Sequence, residues 1–379
     1  MSRYQVGAAV STLEVPNSPC LAHLSLREHY STLGPGNVHV EQCYVERLRP
    51  LEVVQKYPLV FIPGGFQTGT LNTPDDRKGW ASYFLEKGFE RYLVDPPERG
   101  RCPWIPAHGV PELPPTSFIE QFFTATAKFN LWPQARLHNQ WSGSGLAEDL
   151  VFNAFFRSQV QTQMNWTMTE LSTLIAGIDL LGHIGPAILV THSRSGTHGW
   201  VIGDARPELV QGIVALEPAG PPFKEELPFS GPARPWGVTT LPVVYEPEVI
   251  NVTTDLRLET VPSDPSSDRF DCIQQVEPAR KFTHLSQIPV VVVTSEASYH
   301  ATYDHCTVGY LRQAGVNVEW FNLPEYGIHG NGYIMFMEKN NQDIARLINE
   351  WVQQAAKKVR SGLSKVPGLV DQSRGDREL

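Results

Sequence analysis

The chain has 379 residues, 41% of them hydrophobic, and a formal net charge of −9. That is enough apolar material for a large buried core, and α/β folds often run to this length as one unit. The acidic balance without a Lys/Arg cluster argues against nucleic acid or an anionic membrane as partner, and no run of 18 apolar residues suggests a membrane span.

Residues 1–38 carry Pro and Gly signals with little periodicity and read as an N-terminal strand or arm. Residues 39–49 alternate in polarity, as a half-buried antiparallel strand does. PLVFI (58–62) is a short apolar strand, followed by the glycine-rich PGGFQTGT. A helix is expected near Arg77–Lys87 and a strand over 90–95. Residues 101–170 interrupt this rhythm and are rich in aromatics, among them Trp104, Phe122, Trp132 and Trp166. A long helix around Thr167–Leu181, a strand at 187–191, a helix at 196–205 and a strand at 213–217 restore it. A second break, proline-rich and weakly periodic, spans 219–287; so long an irregular insert in a compact domain is usually functional. Then come a strand at 289–296, a helix near Tyr303–Ala314, a strand at 317–323, a final helix over about 333–358 and a polar tail from 367 to 379, expected to be disordered. Strands alternating with helices imply a parallel sheet with crossover helices.

The apolar run Ala187–Val190 ends in Thr191-His192-Ser193-Arg194-Ser195-Gly196. A serine at the tip of a tight strand-to-helix turn lifts its hydroxyl above the sheet edge, where a base and an oxyanion-binding N–H can reach the reacting atoms. Thr191 and Ser195 stand where Gly-x-Ser-x-Gly has its glycines. Such a serine needs an acid and a histidine, in the chain order serine, acid, histidine. Two carboxylates close later strands, Glu217 after IVALE and Glu296 after PVVVVTSE. His329, between glycines in GIHGNG, follows the last strand and is the candidate base. His192 and His198 flank the serine, His183 precedes it, and His300 and His305 come too early in that order. The expected oxyanion donors are the backbone N–H groups of Arg194 and Phe66, with Gly65 as the near alternative, because glycines let a backbone approach a substrate oxygen closely. Pro63 has no N–H and cannot donate. The glycine loop lacks the Gly-Lys-Ser/Thr ending of a phosphate loop and the Gly-x-Gly-x-x-Gly of a dinucleotide site.

These residues together resemble the α/β-hydrolase superfamily over nearly the whole chain. More narrowly they resemble a branch of microbial and fungal esterases, through GGFQTG (64–69), WASYFL (80–85), EPAGPPF (217–223) and HGNGYIMFMEKN (329–340). That branch commonly has a histidine where Pro63 stands and a glycine where Ser195 stands. The resemblance implies that the acid follows the sixth strand, which selects Glu217; the superfamily's more usual place, after the seventh, selects Glu296 as the alternative acid.

The expectation is a single α/β-hydrolase domain over 1–379, with a mostly parallel sheet of about eight strands, helices on both faces, and a cap built from the insertions at 101–170 and 219–287. Its chemistry would be that of a serine hydrolase cleaving an ester or lactone of a small to medium, largely apolar substrate through an acyl-enzyme, with Ser193, Glu217 and His329 as the triad and no metal or other cofactor. The rivals are a cyclase or transacylase, an isomerase or carbon–carbon lyase, and a non-enzymatic binding protein on the same scaffold. The expected partner is a small-molecule substrate, with a homodimer as a possible assembly. Five scattered cysteines (Cys20, Cys43, Cys102, Cys272, Cys306) without a Cys-x-x-Cys pair suggest neither a zinc site nor a disulfide framework. With no secretory-type apolar stretch at the start, the cytosol is the default compartment.

Overall fold

The short apolar runs of the sequence become the middle of one sheet, because a parallel strand covered by helices on both faces must be apolar on both. In a computed structural model describing residues 2–8, 40–69 and 72–363, eight strands form this sheet: β1 (Ser2–Ala8), β2 (Val40–Leu48), β3 (Leu59–Ile62), β4 (Arg91–Asp95), β5 (Ala187–His192), β6 (Val210–Leu216), β7 (Val290–Thr294) and β8 (Val318–Asn322). Their spatial order is β1-β2-β4-β3-β5-β6-β7-β8. β2 runs antiparallel to both its neighbours, and the remaining pairs are parallel. Every residue of β4, β5 and β7 is buried. Most of the expected N-terminal arm and the expected tail at 367–379 lie outside the described residues.

The α-helices longer than four residues are α1 (Trp80–Glu86), α2 (Leu150–Arg157), α3 (Trp166–Ile184), α4 (Ser195–Ala205), α5 (Asp304–Gln313) and α6 (Asn341–Leu363) among the described residues. α2 starts where the Asp149 carboxylate accepts from Val151 N at 2.7 Å, and α3 where Asn165 accepts from Met168 N at 3.2 Å; both are side-chain caps for otherwise orphaned donors. One face of the sheet packs on α3 and α4 through Ala176, Leu180, Trp200 and Ile202. The other packs on α1 and α6 through Trp80, Phe84, Ile348 and Trp351.

The final helix begins at Asn341, not near 333. Residues 331–340 are instead wrapped around the buried Glu338 carboxylate, which accepts from Gly332 N (3.0 Å to each oxygen) and Asn331 Nδ2 (2.8 Å) and pairs with His138 Nε2 (2.7 Å). A helix through this segment would point those donors elsewhere.

The two insertions behave differently. The first forms a compact aromatic cluster (Phe123, Trp132, Trp141, Phe155) against Tyr299, Tyr303 and Tyr333. Much of the second joins the main core through Val238, Val243, Tyr245 and Phe282. They meet at Phe118 and Phe229, whose rings stack 6.0 Å apart.

The absence of a disulfide expected from the scattered cysteines is corrected: Cys272 of the second insertion is bonded to Cys306 on α5. Their separation of 34 positions hides a pairing that only the docking of the insertion onto α5 creates. Replacing both cysteines by serine is expected to lower folding stability by about 2–4 kcal/mol. Denaturant midpoints in non-reducing buffer measure this, and an unchanged midpoint would show that the crosslink contributes nothing.

Candidate active site

Ser193 sits where β5 turns into α4, with φ of +56°, a left-handed conformation rare outside glycine. Its N–H donates to Leu216 O at 3.0 Å, and its carbonyl accepts from Gly196 N (2.8 Å) and Ala219 N (2.9 Å). A methyl group at Gly196 would lie 2.5 Å from Pro218 Cβ, so this position needs glycine. Position 195 does not: the Ser195 hydroxyl donates to Pro63 O at 2.5 Å and ties the turn to the glycine loop.

That loop is pressed against the nucleophile strand. A methyl group at Gly64 would fall 2.7 Å from His192 Nδ1 and 2.9 Å from Ser193 Cβ. The buried Arg99 guanidinium holds the loop by donating to the carbonyls of Pro63 (3.1 Å) and Gly64 (2.7 Å). Of the expected oxyanion donors, the Phe66 N–H is committed elsewhere, donating to Thr162 Oγ1 at 2.7 Å. The end of the first insertion imposes this, since Val160 N also donates to Phe66 O and the residue is held at φ of +65°. Among the described residues the N–H groups of Gly65 and Arg194 have no acceptor, so the pair open to a ligand is Gly65 and Arg194.

His329 lies on the loop after β8 with 60% of its side chain exposed, and its Nδ1 is 2.9 Å from Glu296 Oε1. The other carboxylate oxygen of Glu296 accepts from Gly330 N at 2.7 Å. The first insertion braces both loops. Asn139 N and Gln140 N donate to Gly330 O, and Trp132 Nε1 donates to Ala297 O. The imidazole thus lies beside Glu296, the alternative acid, and not beside Glu217, the acid that the resemblance implies. The Glu217 carboxylate, fully buried, faces β7 and accepts from Ser295 N and Ser298 Oγ at 2.8 Å each. Burial, reinforced by Asp304, pushes its carboxyl well above the usual carboxylate range.

Among the described residues no hydrogen bond joins the Ser193 side chain to His329. The hydroxyl lies against the phenol of Tyr333, which also contacts Tyr299. Sequence reasoning missed Tyr333, Arg99 and Thr162; each acts through a tertiary contact that no local pattern announces. His192 is wedged between Tyr333 and Phe336, with ring centroids at 4.7 and 4.9 Å, and burial lowers its pKa to about 3, so it stays neutral. His300 is paired with Asp304 at 2.9 Å and buried. His198 is also buried, and burial followed by the charges of Arg99 and Arg194 keeps it neutral. His305 rests on Ser263 at 3.0 Å and His183 is largely exposed.

No family model matches the chain. Over 313 residues it is 50% identical to "Probable secreted lipase phiG" of Fungal sp. (strain ATCC 74256), which covers 82% of this chain and 85% of that protein. The chain belongs to this lipase's family. Its expected class, a carboxylic ester hydrolase, is the class of that relative. A bacterial esterase solved at atomic resolution superposes with a TM-score of 0.54 at 22% identity over 94% of both chains, and the shared fold is the α/β-hydrolase fold expected from the sequence. The cytosolic expectation is not supported: the relative is described as secreted, and Cys272–Cys306 is a bond of the kind that persists in oxidising compartments. No helix among the described residues is long and apolar enough to cross a membrane.

Two predictions follow from this geometry. Gly64→Ala forces the glycine loop away from Ser193 and is expected to lower kcat on a p-nitrophenyl ester about a hundredfold while leaving the thermal midpoint nearly unchanged; equal kcat would show the close approach to be dispensable. Glu217 keeps its proton in the folded state at pH values where the unfolded chain has lost it, so its contribution to stability falls as pH rises above the ordinary carboxylate value of 4.5. Glu217→Gln should therefore gain stability relative to the parent between about pH 4.5 and 7, measured by urea titrations at each pH; parallel stability curves would refute this.

Proposed function

We propose that the protein is a serine ester hydrolase in which Ser193 is the acylated nucleophile, His329 its base, Glu296 the carboxylate that orients the imidazole, and the Arg194 and Gly65 N–H groups the oxyanion donors. The observation that supports this reading is the His329–Glu296 pair on the loops after β8 and β7, which leave the same end of the parallel sheet as the left-handed serine of the β5–α4 turn. With Nδ1–H directed at Glu296, Nε2 is free to take the Ser193 proton as the hydroxyl oxygen attacks the ester carbonyl. In the resting enzyme the serine rests on Tyr333, and the exposed His329 ring closes on it when substrate binds; catalytic hydrogen bonds are often long in ligand-free sites. The tetrahedral oxyanion is held by two backbone donors. His329 then protonates the departing alcohol and activates the water that releases the acid.

The substrate body is apolar and small to medium. A cavity of about 70 Å³ beside Pro63 and His192 is lined by Ile62, Trp80, Leu93, Leu216 and Phe336. The stacked Phe118 and Phe229 make the two insertions a cap that limits water near the site. Like its relative, the protein works outside the cell, where its disulfide is retained.

Glu217 stands as a second reading for the acid, because its backbone flanks the elbow through Leu216 and Ala219. The test is turnover of p-nitrophenyl butyrate. Ser193→Ala and His329→Gln are expected to lower kcat by about 10⁴-fold or more, and Glu296→Gln by about 10³-fold, with Glu217→Gln losing far less. A larger loss in Glu217→Gln than in Glu296→Gln moves the acid's role to Glu217, and full activity in Ser193→Ala removes the acyl-enzyme altogether.

A further inference from the structure

Arg194 follows the nucleophile directly, and its side chain is the least satisfied cation near the site. The guanidinium carbon lies over the indole of Trp166, 3.4 Å from the ring centroid. Its nearest carboxylate oxygen, Glu225 Oε1, is 3.6 Å from Nη1, too far for a hydrogen bond. That oxygen is already taken by Arg234 Nη1 at 2.6 Å. Among the described residues no hydrogen bond reaches the Arg194 guanidinium. The neighbouring arginines differ. Arg234 also donates to the carbonyls of Pro221 and Lys224, and Arg99 donates to those of Pro63 and Gly64.

Arg194 and Arg234 face Glu225 and Glu170. Glu170, on α3, is buried and its carboxylate is taken by Thr240 N and Leu241 N. Glu225 Oε1 is hydrogen-bonded to Arg234 and stands 3.6 Å from Arg194, so neither carboxylate gives Arg194 a hydrogen bond. None of the Arg194 nitrogens is a sealed, unpartnered atom, although such atoms occur elsewhere in the fold, and the side chain keeps 11% of its surface open. The Tyr333 phenol that bonds the Ser193 hydroxyl also interacts with the Arg194 guanidinium, so both groups lie near one side chain. The contact with Trp166 holds the guanidinium in place before anything binds, which reduces the ordering cost of a bidentate partner.

We propose that Arg194 anchors a free carboxylate carried by the ester substrate, so that the preferred substrates are esters with an apolar body and one carboxylate a few bonds from the scissile carbonyl. This rests on the ester-hydrolase reading above. A planar carboxylate matches the guanidinium fork in a way that a hydroxyl or amide does not. In this half-buried setting the pair is screened less than on an open surface.

The experiment compares matched substrates. Mono-4-nitrophenyl glutarate against 4-nitrophenyl valerate places the carboxylate on the acyl side; 4-acetoxybenzoate against 4-methylphenyl acetate places it on the alcohol side. After correction for intrinsic reactivity, kcat/KM is expected to favour the carboxylate member of one pair at least tenfold. Arg194→Gln should abolish that ratio, chiefly through KM. Arg194→Lys, which keeps the charge but not the fork, should give an intermediate ratio, and Trp166→Leu should lower it without touching the cation. Binding of glutarate and of 4-hydroxybenzoate to the Ser193→Ala protein, followed by calorimetry, reads the same contact without turnover; one of them should bind, and the added Arg194→Gln change should remove it. A ratio near one in both pairs, a ratio unchanged in Arg194→Gln, or no binding to Ser193→Ala overturns the proposal. Hydrolysis of the neutral esters with no carboxylate preference defeats this inference alone. Carboxylate binding without hydrolysis of any ester defeats the hydrolase reading and leaves the anchor standing.

Discussion

The left-handed turn at Ser193 is the constraint from which the site is built. A serine there is strained by about 1 kcal/mol or more and persists because its neighbours leave the backbone no alternative. The N–H and carbonyl of Ser193 are bonded to the β6 end and the segment after it, and Gly196 passes Pro218 without room for a side chain. Arg99 and Ser195 then bind the carbonyls of Pro63 and Gly64 from two sides. Both carbonyls are thereby satisfied within the protein, and the loop is held against the turn.

Three carboxylates near this turn show how burial and partners divide one chemical group among tasks. Glu296 keeps a fifth of its side chain in contact with solvent and holds a histidine and an amide. Glu217 is sealed beneath the sheet edge, where desolvation favours the neutral acid and its partners are a backbone amide and a hydroxyl. Glu338 is equally buried but meets a histidine, an asparagine and an amide, and serves as the hub of a loop.

The sheet was legible from the sequence because buried parallel strands are short apolar runs bounded by turns, and β5, β6 and β7 are of that kind. Ser193 and His329 could be placed by chain order, since each sits just beyond a strand. Chain order leaves the acid open, because Glu217 and Glu296 both close strands; the lateral positions of the β6 and β7 ends put Glu296 beside the imidazole. The partner of the Phe66 N–H was hidden for a similar reason. Thr162, which takes its N–H, is 96 residues away along the chain, in a segment whose aromatic content says only that it packs. The disulfide and the start of α6 were missed because both depend on what docks against them.

Glu338 and His138 are 200 residues apart along the chain yet in direct contact. The loop bearing His329 therefore takes its shape from a segment synthesised much earlier and must wait for it. Contacts of such sequence separation form late, because their loop-closure entropy is lost before they give anything back. The shape of that loop is in this sense borrowed from the first insertion, and a change at His138 would be felt 200 residues away.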